Sequence, residues 1–140
     1  MTSVSSKFIK SLLASVEHHC RKDPSRPLPS ELYVGLYSVF GNVLAAALEI
    51  LDRRGVTVFS ARDSGRKVAV VAGSSGLRYT LSLRGQHCPC PAHQYTVMAG
   101  RGASHCKHML ALRLGLAMDR VNCETVEDDR VKLLLEEMVS

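Results

Sequence analysis

The residues best suited to chemistry are two close pairs of metal-binding side chains. Cys88-Pro-Cys90 is followed, fifteen residues later, by Cys106-Lys-His108. Three thiolates and one imidazole are a ligand set that zinc takes in closed, tetrahedral, structural sites. A disulfide and unused thiols are the alternatives, but five cysteines are an odd number and no secretory signal is apparent. The sequence therefore predicts one structural Zn²⁺ held by Cys88, Cys90, Cys106 and His108.

The spacing within each pair restricts the backbone around it. Residues two apart point to nearly opposite sides of a helix, so neither pair can bind one metal from within a regular helix. Pro89 and Pro91 keep the first pair in extended or turn backbone. For the second pair, Ser104 is predicted to be the N-cap of a helix that holds Cys106 in its first turn. We therefore expect the metal to join the end of a strand to the start of a helix.

The remaining cysteines and three nearby histidines have less defined roles. Cys20 and Cys123 have no close partner in sequence, and a buried structural thiol is the prediction for both. Three histidines near the motif could replace one of its ligands, contact nucleic acid or serve only structure: His87, His93 and His105.

Hydrophobic periodicity predicts an α+β fold around this motif. Helices are predicted at residues 4–21, 30–41 and 42–54. Strands separated by glycine-containing turns are predicted at residues 56–59, 67–71 and 77–83, as a small antiparallel three-stranded meander. In the last strand apolar and polar residues alternate, which is typical of a sheet with one buried and one solvated face.

These elements are expected to form one compact unit with three functional segments. Residues 1–54 would be an N-terminal helical partner-binding region, and residues 55–120 would hold the β-meander and the zinc finger. Residues 121–140 would form a C-terminal helix opened by a capping box, Thr125-x-x-Asp128. A chain of 140 residues with 46% apolar and 22% charged residues has the size and composition of a single globular domain.

Charge is unevenly distributed along the chain. Residues 53–120 hold eleven basic and two acidic side chains, whereas residues 1–52 are neutral and residues 121–140 have a net charge of −4. The basic surplus could neutralise phosphates, although arginines on the solvated face of a sheet are the plainer interpretation. Aromatic residues for base stacking are scarce after residue 60, so DNA contact shared with a partner is favoured over binding by this chain alone. The candidates for nucleic-acid contact are Arg66, Lys67, Arg78, Arg84, Arg101 and Lys107.

The second predicted helix is apolar almost all the way round. A helix of this kind is either a central core element or a surface that faces a partner. The sequence leaves both open, and an interaction scaffold is the preferred interpretation. The candidates for partner contact are Leu32, Tyr33, Leu36, Tyr37 and Phe40.

Several classes of function are disfavoured by what the sequence lacks. A hydrolytic zinc site needs an open coordination position and a nearby base, but four ligands fill the metal and no Glu lies between Glu49 and Glu124. No Gly-x4-Gly-Lys-Ser/Thr phosphate loop is present. The longest apolar stretch, residues 36–51, is too short to span a bilayer. A mitochondrial presequence is an alternative for the first sixteen residues, but a core-facing helix fits them better.

The motif resembles the SWIM zinc domain. Ala111 extends it to Cys-x-His-x-x-Ala, which is the form of the Sws-type SWIM proteins in the Shu recombination complex. Ala111 would let the helix pack closely on the zinc-bearing hairpin. The resemblance implies a non-enzymatic nuclear mediator of homologous recombination that binds a RecA-like recombinase paralogue and promotes assembly of the recombinase filament on single-stranded DNA. SWIM domains also occur in transposase-related and ubiquitin-ligase proteins, so a general DNA- or protein-binding adaptor is the alternative.

Overall fold

A computed structural model describes residues 6–23, 27–73, 76–83, 88, 90 and 106–139 of the chain. The α+β class is confirmed within this part. Its elements in chain order are α1 (Ser6–Lys22), α2 (Ser30–Phe40), α3 (Asn42–Asp52), β1 (Val56–Ala61), β2 (Lys67–Ala72), β3 (Arg78–Leu81), α4 (Lys107–Met118), β4 (Asn122–Val126) and α5 (Asp128–Val139).

The strands form one mixed sheet in the order β3-β2-β1-β4. The predicted antiparallel meander is present, with Val56 opposite Val71 and Val71 opposite Tyr79. The prediction of only three strands was wrong, because β4 adds to the other side of β1 in parallel. Parallel pairing joins residues far apart in sequence, so the local pattern gave no sign of it. The Asn122 side chain helps to place β4 by donating to the carbonyl oxygen of Arg54 at 2.9 Å.

The segment after α4 therefore contains more than the predicted helix. Thr125 does not cap a helix; it lies in β4 opposite Ser60 of β1. The helix α5 begins three residues later, at Asp128. The functional division of the chain near residues 54 and 120 stays a prediction.

Helices cover both faces of the sheet. The larger core lies on one face, where α1, α2, α3 and α4 pack together with Val56, Ala69 and Val71. On the other face Val131 of α5 packs with Ala61 and Val68 in a smaller apolar cluster. Strand β2 accordingly has four consecutive buried residues, as expected for a strand that is covered on both sides.

The expectation of a solvated face on the sheet was wrong. Thr80 of β3 was expected to face water, yet it is buried and its hydroxyl donates to the Glu137 carboxylate of α5 at 3.4 Å. Thr80 contacts α5, an amphipathic helix that presents both apolar and charged side chains to the sheet, whereas Arg78 is exposed.

A tight corner joins α2 to α3. Gly41 lies between them with a φ of 57°, a left-handed conformation that glycine adopts without steric cost. The chain bends by 118° between the two helices. Within the described residues no single helix is long and apolar enough to cross a membrane. The bent pair of α2 and α3 has enough length and apolar composition only when the two helices are taken together.

A carboxylate at the start of α5 holds the turn between β1 and β2. The Asp128 carboxylate accepts hydrogen bonds from the backbone N–H groups of Asp63 at 2.9 Å and Ser64 at 3.2 Å. The bond from Asp63 is the main cause that lowers the pKa of Asp128. Because the lowered pKa belongs to the folded state, this contribution to stability is complete above the ordinary carboxyl pKa of about 3.9. It is lost as the pH falls through the lowered value.

We expect Asp128→Ala to loosen this turn at neutral pH. Amide hydrogen exchange at Asp63 and Ser64 should speed up, and the thermal midpoint should fall, because two backbone donors lose their acceptor. Asp129→Ala is the matched control, since it removes an exposed carboxylate from the same helix end. Equal exchange rates in both variants would show that Asp128 does not hold the turn.

Candidate metal centre

The structure brings the four predicted zinc ligands together. Cys88 and Cys90 follow strand β3, whereas Cys106 and His108 lie at the start of α4. One ligand atom from each residue lies within 4.8 Å of the others. All four side chains are buried, with none more than 4% exposed. The predicted helix start is confirmed for Cys106 and His108. The predicted strand end is not tested, because β3 ends at Leu81 and residues 84–87 lie outside the described part of the chain.

Cys106 is itself the N-cap of α4. Its backbone is extended and its sulfur accepts a hydrogen bond from the backbone N–H of Met109 at 3.4 Å. The prediction that Ser104 caps this helix was therefore wrong, and Ser104 lies outside the described residues. A sulfur can replace the usual cap oxygen here because a thiolate is an anion, which the positive end of the helix dipole stabilises.

The thiols of the cluster differ in their affinity for protons. The hydrogen bond with Cys88 is the main cause that lowers the pKa of Cys106, to about 3, and bonds from His108 and the Met109 N–H act in the same direction. The same bond with Cys106, together with burial, raises the pKa of Cys88. The fold therefore favours a thiolate at Cys106, and thiolate is the form that binds metal.

The geometry and the donor set fit zinc. Cys88 Sγ lies 3.8 Å from His108 Nδ1. Tetrahedral zinc with the usual Zn–S and Zn–N bond lengths would place these two atoms about 3.6 Å apart. Three sulfurs and one nitrogen complete the coordination, and no Asp or Glu belongs to the cluster among the described residues. Such a closed site stabilises structure and offers no position for a reactive water.

Ala111 lies one helical turn beyond His108 and is fully buried. It belongs to the larger core, in which α4 packs against α1 and α3. A small side chain at this position is consistent with close packing of the ligand-bearing helix. Its predicted contact with the zinc-bearing hairpin stays a prediction, because most residues around Cys88 and Cys90 lie outside the described part of the chain.

The predicted nucleic-acid residues do not form one patch in the described part of the chain. Lys67 lies opposite Ser60 at one end of β2, whereas Arg78 lies opposite Ala72 at the other end. The two ends of this six-residue strand are about 17 Å apart. Arg66, Lys67 and Arg78 are exposed and Lys107 is half-buried. Arg84 and Arg101 lie outside the described residues.

The predicted partner residues divide between the core and the surface of α2. Leu36 and Phe40 are buried in the larger core, so their assignment to a partner surface was wrong. Leu32 is half-buried against that core, and Tyr33 and Tyr37 are exposed. The sequence reasoning missed Val34, which is 68% exposed. No local signal in the sequence marks Val34, because α2 is apolar almost all the way round and its periodicity does not tell which side is buried.

The two cysteines outside the motif differ from each other. Cys20 is buried in the larger core as predicted, and burial raises its pKa. Cys123 was predicted to be buried, but it is exposed on β4 because that strand lies at the edge of the sheet. His87, His93 and His105 lie outside the described residues, and their predicted roles stay open.

We expect Cys106→Ala to abolish zinc binding and to lower stability severely. The apparent binding free energy of structural zinc is about 10–16 kcal/mol, as large as the total stability of a typical domain. Metal analysis should give one zinc per folded wild-type chain and none for the variant, which should also show a lower thermal midpoint.

Cys123→Ala is the matched control for this experiment. It removes an exposed thiol that lies outside the cluster. This variant should keep one zinc per chain and the wild-type midpoint. A folded wild-type preparation without zinc, or equal zinc loss in both variants, would contradict the metal assignment.

Comparison with known proteins gives the same family over nearly the whole chain. The chain is 37% identical to zinc finger SWIM domain-containing protein 7 of Danio rerio, over 89% of this chain and 93% of the relative. It is 30% identical to the Homo sapiens protein of that name, over 96% of this chain and 91% of the relative. The Dictyostelium discoideum homolog is 25% identical over 90% of this chain and 81% of the relative. These names describe a zinc finger and no enzymatic activity.

No protein-family model and no solved structure matches the chain. The assignment rests on these relatives and on the buried cluster of three cysteines and one histidine. This chain belongs to the family of zinc finger SWIM domain-containing protein 7.

Proposed function

We propose that this chain is a non-enzymatic subunit of a Shu-like complex in the nucleus. It binds a RecA-like recombinase paralogue, and the complex promotes assembly of the recombinase filament on single-stranded DNA during homologous recombination. The observation that carries this proposal is the complete SWIM motif with Ala111, in a short chain collinear with zinc finger SWIM domain-containing protein 7. This is the form of the motif that resembles the Sws-type proteins of the Shu complex.

A scaffold role agrees with the chemistry of the metal centre. The four buried ligands would fill the coordination of zinc, so the metal would stabilise structure and take no part in a reaction. The same metal centre fixes α4, against which α1 and α3 pack. Zinc thus supports the helical layer that also contains α2.

The outer side of α2 supports binding to a protein partner. Tyr33, Val34 and Tyr37 are 37%, 68% and 60% exposed, and together they form what we call the α2 surface. Tyrosine is enriched at the centre of protein interfaces because its ring buries a large apolar area while its hydroxyl keeps a hydrogen-bond partner. We assign the α2 surface to the RecA-like partner.

Substitution of the α2 surface should release the partner without unfolding the chain. Tyr37→Asp places a charge at the proposed contact, where it would have to be desolvated on binding. Leu133→Asp is the matched control, because Leu133 is 59% exposed and lies on α5, on the opposite face of the sheet. Tagged chains would be recovered from cells, and their bound proteins identified by mass spectrometry.

The wild type and Leu133→Asp should recover a RecA-like ATPase, and Tyr37→Asp should not. If Tyr37→Asp recovered the ATPase at the wild-type level, the α2 surface would not be part of the interface. If the proteins recovered with the wild-type chain included no RecA-like ATPase, the recombination role would be contradicted. A general DNA- or protein-binding adaptor would then be favoured.

Contact with DNA is assigned to the complex, with a contribution from exposed cations of the sheet. Arg78→Glu should weaken binding of single-stranded DNA by the assembled complex and reduce the slope of log K against log salt by about 1. Arg130→Glu is the control, because it makes the same charge change at an exposed position in the acidic C-terminal segment. Release of the partner by Arg78→Glu would instead place the partner on the sheet.

A further inference from the structure

We infer that zinc is bound through the Nδ1 atom of His108, and that Gly73 is a positioning residue for this ligand. Gly73 lies immediately after β2, on a different element from the four ligands. The inference concerns the metal centre and does not depend on the proposed role in recombination.

The position of His108 in the helix favours Nδ1. His108 is the second residue of α4 and lies two residues after the N-cap Cys106. Within the imidazole ring Nδ1 is the nitrogen nearer the backbone, so it reaches a metal that lies close to the helix start. It is also the nitrogen that lies 3.8 Å from Cys88 Sγ, close to the separation of about 3.6 Å expected across a tetrahedral zinc.

The other ring nitrogen, Nε2, faces the protein. It is buried and has no hydrogen-bond partner among the described residues. A histidine that binds metal through one nitrogen usually donates a hydrogen bond from the other to a carbonyl, a carboxylate or water. Among the described residues the ring is held by packing. The Tyr79 ring lies against it, with centroids 4.4 Å apart and planes inclined at 41°.

Gly73 makes this packing possible. A Cβ atom at residue 73 would lie 3.5 Å from His108 Nε2, 3.1 Å from Tyr79 Cε2 and 3.2 Å from the Leu77 carbonyl oxygen. The carbonyl cannot retreat easily, because it accepts a hydrogen bond from the Gly73 N–H at 2.6 Å. A side chain at this position must therefore displace the Tyr79 ring, which lies against the imidazole. The absence of a side chain at Gly73 lets β2 and β3 hold the ring in its binding orientation.

The choice of nitrogen can be read directly by NMR. In the zinc-loaded full chain labelled with ¹⁵N, long-range ¹H–¹⁵N correlations distinguish a ring with metal at Nδ1 and a proton at Nε2 from the reverse. We expect His108 to show metal at Nδ1 and a proton at Nε2. Metal at Nε2, or a folded chain that takes up no zinc, would overturn the inference.

Gly73→Ala tests the positioning role, with Gly115→Ala as the control. The control adds a Cβ 3.0 Å from both Leu51 Cδ2 and Val121 Cγ1, so it crowds the core to a similar degree. It lies seven residues after His108, which is about 10 Å along α4. Competition with a chromophoric chelator would give the zinc affinity, and the absorption spectrum of the Co²⁺-substituted chain would report the ligand field.

Gly73→Ala should weaken zinc binding about 10- to 100-fold, the usual effect of disturbing a residue that orients a metal ligand, and should alter the Co²⁺ spectrum. Gly115→Ala should leave both unchanged, even where the thermal midpoint changes. Wild-type affinity and spectrum in Gly73→Ala would overturn the positioning role. An equal loss of affinity in Gly115→Ala would also overturn it, because it would trace the effect to general destabilisation.

Discussion

The joining of two distant chain segments at one buried cluster is the constraint on which the rest of the structure depends. The ligand atoms of three cysteines and a histidine lie within 4.8 Å of one another and are buried, and the cysteines in the thiolate form that binds metal are costly to bury unless a cation compensates their charge. Zinc supplies that compensation, and its apparent binding free energy of about 10–16 kcal/mol is comparable to the stability of a whole domain. The position of α4, and with it the packing of α1 and α3, follows from where this metal holds the helix start.

The sheet places the cluster and is itself enclosed. Its central strands are covered by the four-helix layer on one face and by α5 on the other, which explains why β2 is buried on both sides. The metal centre joins Cys88 and Cys90 to the start of α4, so zinc supports the helical layer, whereas α5 covers the opposite face through a separate apolar cluster. Exposed apolar residues on α2 remain available on the outer side of that helical layer.

The sequence predicted the elements whose signals are local and missed those set by tertiary contacts. The ligand spacing predicted the cluster, because coordination chemistry restricts both residue types and backbone. Leu36 was wrongly placed on a partner surface because an apolar helix gives no sign of which side is buried until its neighbours are known. Strand β4 was missed because it pairs in parallel with residues more than sixty positions earlier. The capping role of Cys106 was missed because a cysteine is not a usual N-cap residue.

One zinc ion held by three sulfurs and one nitrogen joins Cys88 and Cys90 to the start of α4. Zinc K-edge X-ray absorption on the purified, folded chain tests this most directly, because it counts the ligands and measures their distances. We expect three sulfurs at about 2.3 Å and one nitrogen at about 2.0 Å, with no bound water. A shell with an oxygen ligand or four sulfurs, or a folded chain with no zinc edge, would contradict it.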